Sequence, residues 1–282
     1  MTIVIREMTG ADAAYGWSLT QQVRWPHRLA DWQEALALGE GLVAQVQGEP
    51  AGVALCWRWG PHRATIGLVV VEARHQGRGI GHRLMSSLLD RLPGYQIRLH
   101  ATAVGQGLYA RLGFVAQGEM HQYQCAQLPA LPDPIPALGQ RLRPAQRDDV
   151  PRLAMLDTEA HGLMRPTLIE RLMQHAVDVR VLEYAGELHG FAALRRFGHG
   201  YVIGPVIARS ATDARLLIHA LFAQRAGDFV RIDTPAALGL GPFLLRCGLT
   251  QVDAPIIMQR GAPWQPAAGA MHAWAVMSQA MA

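Results

Sequence analysis

Two α/β domains in tandem are the fold this sequence predicts, and three observations predict it. A β-branched run, Ile66-Gly67-Leu68-Val69-Val70-Val71, feeds a glycine-rich turn and then a segment with apolar residues at Leu84, Leu88 and Leu92. That is the order strand, loop, helix. Prolines at 129, 132, 134 and 136 interrupt the chain near its middle, the composition of a semi-rigid extended linker. On either side of them the sequence repeats itself.

The repeat keeps a nearly constant spacing. Ile5-Arg6 recurs as Leu142-Arg143, and Asp12 as Asp149, each 137 positions on; Gly48 recurs as Gly186 and Gly60 as Gly198, each 138 on; Ile66-Gly67-Leu68-Val69 recurs as Ile203-Gly204-Pro205-Val206, again at 137. The expected division is a first domain over 1–128, a proline-rich linker over 129–140, a second domain over 141–262 and an apolar tail over 263–282.

With 282 residues, half of them hydrophobic and 17% charged, the chain is long enough for two domains with a core each, and it is globular in composition. It contains no lysine, so all 26 basic residues are arginine, and the net charge of +4 is modest. No basic run interleaves with aromatics as a nucleic-acid groove requires, and a polyanionic small ligand suits the balance. The three cysteines, Cys56, Cys125 and Cys247, are far apart and lack a Cys-x-x-Cys spacing, which speaks for reduced thiols rather than disulfides or a metal site. The twelve histidines form no helix-face pair of the zinc-binding kind, and no metal is expected. Without a signal-peptide layout or an apolar run of ~18 residues, the expectation is a cytoplasmic protein with no membrane span.

Glycines at 77, 79 and 81 remove side chains at the start of the helix, where free backbone N–H groups make an anion cradle. Arg78, His82 and Arg83 add donors, so a diphosphate suits the site. A Walker loop needs a lysine, which is absent. A dinucleotide fingerprint needs a third glycine where His82 stands and an acidic residue about 20 positions on, where the chain reads Gln96-Ile97-Arg98-Leu99-His100. Gln76, Gly79 and Gly81 meet a third pattern, Gln/Arg-x-x-Gly-x-Gly/Ala after a strand. On these residues the segment resembles the acetyl-CoA loop of the GNAT N-acetyltransferases. Tyr109-Ala110-Arg111-Leu112-Gly113-Phe114 is similar to the family's Tyr-x-x-x-Gly-Phe signature.

The resemblance implies two tandem GNAT-like domains, each a twisted, mainly antiparallel sheet flanked by helices. It implies acetyl-CoA as cosubstrate, with the diphosphate on Gln76, Gly77, Arg78, Gly79, Ile80, Gly81 and His82. It implies that the pantetheine arm lies along Val69, Val70 and Val71, through their backbone N–H groups. Thr102 stands where many members carry an asparagine beside the pantetheine. Tyr109 is the implied catalytic residue, assisting departure of the thiolate. With thiol and phenol at ~8.5 and ~10, full proton transfer is uphill by ~2 kcal/mol, so a hydrogen bond to the developing charge is the more economical description.

A primary amine acceptor at ~10.4 costs about 4.6 kcal/mol to deprotonate at neutral pH, so a base or a water chain is expected. Glu72, His100 and Asp31 are the carboxylates and imidazole near the ends of the relevant segments, each reading more readily as a loop or capping residue. The segment after the first strand concentrates aromatics, and Trp25, His27 and Asp31 are the expected acceptor-side residues. Trp17 and Trp32 read as the buried stripes of helices.

The second copy departs where the chemistry lies. At constant spacing Leu216 and Ile218 fall where Gly79 and Gly81 stand, and aligning Gly248-Leu249 with Gly113-Phe114 puts Leu244 at the position of Tyr109. The second domain therefore reads as degenerate. The uncharged tail from Trp264 is expected to dock on its own chain or on a second subunit of a homodimer. The reading is an acetyl-CoA-dependent N-acetyltransferase moving an acetyl group to a small primary amine by direct transfer in a ternary complex. The alternatives are an acyl-CoA-binding sensor or scaffold without turnover, and a protein or peptide N-acetyltransferase.

Overall fold

A computed structural model describes residues 2–262, 264 and 271–281. In chain order the elements are β1 (Ile3–Glu7), α1 (Ala13–Gln22), α2 (Leu29–Leu38), β2 (Glu40–Val46), β3 (Glu49–Arg58), β4 (Arg63–Val71), α3 (Ile80–Asp90), β5 (Gln96–Ala101), α4 (Gln106–Arg111) and β6 (Val115–Cys125). They continue as β7 (Gln140–Pro144), α5 (Val150–His161), α6 (Pro166–His175), β8 (Asp178–Tyr184), β9 (Glu187–Phe197), β10 (Gly200–Ala208), α7 (Ala211–Phe222), β11 (Val230–Pro235), α8 (Gly241–Arg246), β12 (Thr250–Asp253), β13 (Ile256–Arg260) and β14 (His272–Ala275).

The chain forms two compact units. Of the described residues, one holds 2–116, 258–262 and 281, and the other holds 117–257, 264 and 271–280. The units do not divide at the proline-rich stretch expected from the sequence. β6 pairs antiparallel with β11 from Cys125↔Val230 to Met120↔Pro235, and those ladder hydrogen bonds keep 117–125 with the second unit. From Met258 the chain returns to the first unit.

In the first unit the strands run β1-β2-β3-β4-β5, with Met258–Arg260 of β13 beside β5. The pairs from β1 to β4 are antiparallel, and β4 with β5 is parallel. Helix α3 buries Ile80, Leu84, Met85 and Leu88 against this sheet, and Leu92 follows at 1% exposure, the apolar stripe read from the sequence. Between α1 and α2, Trp32 is fully buried and its Nε1 donates to Thr20 Oγ1 at 3.2 Å. Trp17 departs from expectation: it is 37% exposed, and its Nε1 donates to the His27 carbonyl at 3.1 Å. The indole is held at the surface by its polar edge instead of being packed inside.

The second unit repeats the plan as β7-β8-β9-β10-β11, with β6 beyond β11, β12 on β6 and β14 on β10. The repeat is physical as well as textual. Arg6 grips Asp12 through two bonds of 2.7 and 2.9 Å, and Arg143 grips Asp149 through two of 2.7 and 2.9 Å. In each copy the carboxylate also accepts the backbone N–H three residues earlier, Thr9 or Gln146, at 2.7 Å. A bidentate arginine and a capped turn are thus built twice from the same residue types.

Candidate functional site

Strand β4 begins paired with β5 and then leaves it. The parallel register covers only Arg63↔Gln96, Ala64↔Ile97 and Thr65↔Arg98, although β4 continues to Val71 and β5 to Ala101. On its other edge β4 carries an extra residue against β3, since Leu55 pairs with Gly67 and Val53 with Val70. Leu68 lies there at φ +53°, a left-handed conformation uncommon for a branched side chain. This β-bulge bends the strand where pairing with β5 stops. Beyond it, main-chain groups of β4 on the β5 side have no strand partner among the described residues. Val70 is buried and Val69 and Val71 are half-buried, so their side chains pack while their backbone borders the gap.

The gap leads to the glycine turn. Gly77 and Gly79 have φ of +75° and +79°, and a Cβ at either would meet nothing within 4 Å. Gly79 caps α3, leaving the first-turn N–H groups without a side-chain cap, as an anion site requires. Gln76 Nε2 donates to the Val71 carbonyl at 3.0 Å, tying the loop to the strand end. Gly81 serves packing: its Cβ would lie 3.3 Å from Leu108 Cδ2 and 3.8 Å from Val71 Cγ2. The end of β4, the start of α3 and α4 therefore converge at Gly81. Arg78, His82 and Arg83 are exposed around the turn.

On α4, next to Leu108, Tyr109 is 8% exposed, and burial pushes its hydroxyl up to about 12. Its ring meets Phe114 edge-on at 6.0 Å, and its carbonyl accepts the Phe114 N–H at 3.0 Å, so the Tyr-to-Phe signature closes the helix end. Thr102 is exposed, and its carbonyl accepts the N–H groups of Gly105 and Gln106 at 2.9 and 3.2 Å. A Cβ on Gly105 would stand 2.8 Å from Tyr109 Cε2, so this glycine, unremarked in the sequence, makes room for the ring.

A polar cluster at the β4 terminus joins Glu72, named from the sequence, to Tyr15 and His75, which were not. Tyr15 of α1 lies within the field of Glu72, the residue after β4, and burial, then that carboxylate, pushes its hydroxyl up to about 12. Glu72 Oε2 lies 3.0 Å from Arg74 Nε and 3.8 Å from His75 Nε2. Tyr15 Oη and His75 Nδ1 are buried atoms with no hydrogen-bond partner among the described residues, and both accompany the ion-paired Glu72 carboxylate. Two such atoms beside a carboxylate mark a place for a polar guest. Tyr15 lacked any signal because nothing in its sequence neighbourhood says that α1 lies against β4.

The expected acceptor-side residues form a separate group. The Asp31 carboxylate accepts the Arg28 N–H at 2.8 Å and the Arg28 guanidinium at 2.6 Å, so it is a helix-start cap. The His27 carbonyl accepts from Trp17 Nε1 and Gln21 Nε2, and the Trp25 and His27 rings lie 6.0 Å apart. His100 is half-buried on β5. Cys56 lies inside β3 at 1% exposure, and burial raises its thiol to about 11.

The second unit reproduces the frame without the turn. Its β10 pairs with β11 only over Tyr201↔Val230, Val202↔Arg231 and Ile203↔Ile232. The same bulge follows, where Ile203 pairs with Leu194 but Val206 with Ala192, at the cis Gly204–Pro205 bond. Only Arg209 and Ser210 separate β10 from α7, whereas residues 72–79 separate β4 from α3. Constant spacing is therefore wrong here: the residue standing where Gly79 caps its helix is Ser210, not Leu216, because the loop is shorter by six residues. Ser210 Oγ accepts the Asp213 N–H at 3.1 Å and donates to Asp213 Oδ2 at 2.7 Å, and Gln140 Nε2 donates to Asp213 Oδ1 at 2.9 Å. At the far end Leu249 N donates to the Leu244 carbonyl at 3.1 Å, so Leu244 does occupy the place of Tyr109.

A strand splayed from its parallel neighbour above an open helix start, on a frame built twice, defines a tandem acyltransferase fold. The comparisons with known proteins agree. The model described as Acetyltransferase (GNAT) family matches residues 7–114, and that described as Acetyltransferase (GNAT) domain matches 153–272. The chain belongs to the GNAT acetyltransferases and is an acyltransferase. It is 29% identical over 222 residues to the uncharacterised N-acetyltransferase YitH of Bacillus subtilis, covering 77% of this chain and 76% of that one. A candidate acetyltransferase from Pyrococcus horikoshii shares the fold with TM-score 0.77 and 23% identity, over 99% of this chain and 96% of that one. A tandem GNAT protein from the clavulanic acid biosynthesis pathway matches with TM-score 0.61 and 13% identity, over 94% and 100%. No helix among the described residues is long and apolar enough to cross a membrane.

Proposed function

We propose that the first unit transfers an acetyl group from acetyl-CoA directly to a primary amine of a small molecule, within a ternary complex. The observation that carries this reading is the gap between β4 and β5 running onto a glycine-opened helix start, against which α4, the helix that bears Tyr109, packs through Leu108 at Gly81. The backbone of Val69, Val70 and Val71 offers the pantetheine arm a strand edge. Gln76, Gly77, Arg78, Gly79, Ile80, Gly81 and His82 cradle the diphosphate, and Thr102 borders the same channel. The family's general use of acetyl-CoA supports the donor assignment.

The net reaction moves one proton from nitrogen to sulfur as the N–C bond forms and the C–S bond breaks. Tyr109 supplies a hydrogen bond to the departing sulfur. With its hydroxyl at about 12 against ~8.5 for a thiol, full transfer is uphill by about 5 kcal/mol, so the phenol stays protonated and the thiolate, released hydrogen-bonded to it, takes its proton from water. Glu72, with Tyr15 beside it, anchors the acceptor amine and takes its proton directly or through water. Trp25, His27 and Asp31 shape the outer wall of the acceptor side. Cys56, a buried thiol raised to about 11, forms no acyl-enzyme. The second unit holds no donor site, because the Asp213 carboxylate lies in the first turn of α7, where a diphosphate would meet like charge.

Calorimetric titration of acetyl-CoA into the protein and its Gly79→Arg variant tests this. One equivalent per chain, lost in the variant, followed by CoA release with a panel of small amines, is the expected result. Binding without turnover for any amine or peptide would favour a sensor, and turnover only with peptides would favour a protein N-acetyltransferase. Two equivalents would overturn the reading of the second unit.

A further inference from the structure

In the first unit β4 leaves β5 and no strand takes up the freed edge among the described residues. In the second unit the corresponding edge is taken. Residues of β14 pair antiparallel with β10 just beyond the bulge, Val206↔Ala275, Ile207↔Ala273 and Ala208↔His272. On its other side the segment reaches β11, where Val276 N donates to the Asp233 carbonyl at 3.0 Å. The segment thus spans the gap between the two parted strands, hydrogen-bonded to both.

Side chains seat it as well. Trp274 is 7% exposed and its Nε1 donates to the Ala208 carbonyl at 3.0 Å. Ala275 is fully buried, and both residues belong to the core cluster with Ile203, Val206 and Ile232. The Arg195 guanidinium bridges the Gly204 and Met277 carbonyls. Gly204 has no room for a side chain, because the Val276 carbonyl stands where a Cβ would be. The bulge is therefore shaped around the segment's backbone.

We propose that the β10–β11 gap of the second unit is a strand-binding site whose resident ligand is this chain's own segment 271–277, added to the free edge by backbone hydrogen bonds. The segment takes the place in the second unit that the pantetheine arm takes in the first. Only that comparison rests on the function proposed above. With the edge filled and the helix start capped by Ser210 and Asp213, the second unit is complete without a cosubstrate. As a ligand, the segment opens separately from the strands that hold it.

Hydrogen exchange of the full chain tests this without acetyl-CoA, so failure of the donor assignment leaves it standing. In Trp274→Ala the amides of 272–276 should exchange at least about ten-fold faster, while those of β9 stay within about two-fold. A second variant, Val206→Cys with Ala275→Cys, places cysteines on residues paired across antiparallel strands, whose usual Cα separation of about 4.5–5.5 Å lies within disulfide reach. It should form a disulfide under mild oxidation and slow exchange of the segment. Unprotected 272–276 amides in the unmodified protein, or no disulfide in the double variant, would overturn the seating. Equal acceleration of β9 in Trp274→Ala would make the segment ordinary core and overturn its standing as a ligand. A second equivalent of acetyl-CoA bound by Trp274→Ala would show a cover over a donor site and overturn it too.

Discussion

The Phe114 N–H donates to the Tyr109 carbonyl at 3.0 Å while the two rings meet edge-on at 6.0 Å, so one residue ends the helix and braces the aromatic side chain of the other. The phenol is held in a buried setting that keeps it protonated far above neutral pH. Replacing Tyr109 with Phe removes one donor. We expect kcat to fall about 100-fold with KM for acetyl-CoA unchanged within about two-fold. Because the hydroxyl titrates at about 12, wild-type activity should show no alkaline limb from Tyr109 below pH 10, as a pH–rate profile would report.

Gly105 makes room for that ring. Gly105→Ala places a methyl 2.8 Å from Tyr109 Cε2 at an ordinary helical φ of −80°, so the backbone tolerates the change and the ring must shift. The expected outcome is a kcat reduced by about ten-fold, with a melting temperature lowered by only a few degrees. An unchanged kcat would show that ring position does not matter.

The unpartnered Tyr15 hydroxyl and the Glu72 carboxylate lead to a split between binding and chemistry. Glu72→Gln should lower kcat/KM for the amine by about 100-fold while leaving acetyl-CoA affinity intact by calorimetry. Tyr15→Phe, which removes only the hydroxyl, should cost less, about ten-fold in KM for the amine. Equal loss of acetyl-CoA binding in both would assign the cluster to the donor instead.

Asp12 contributes to acid stability in a defined window. The Arg6 guanidinium holds its carboxyl down at about 2, from an ordinary 3.8, and Arg143 lowers Asp149 likewise. A carboxyl lowered on folding stabilises above its unfolded value, and that contribution is lost as pH falls through the folded one. Asp12→Asn should therefore be less stable than wild type at pH 7. The difference should shrink between pH 4 and pH 2, as read by denaturant melts at each pH.

What short-range rules encode was legible in the residues. The strand, turn and helix from Ile66 to Leu92 follow from β-branching, glycines that accept φ near +77° and a 3.6-residue apolar stripe. The tandem plan follows from a spacing held over Arg6, Asp12 and their second copies, and Tyr109-x-x-x-Gly-Phe marked the helix beside the turn. Which edges are filled depends on long-range packing: residues 117–125 join the second unit, and 272–275 pair beside β10. It also brought Tyr15 to Glu72, and it showed that Ser210 stands where constant spacing pointed to Leu216. Backbone hydrogen bonds that pair distant strands carry no side-chain signature. A strand's partner is therefore chosen by packing over the whole unit, whereas its own conformation is written in its residues.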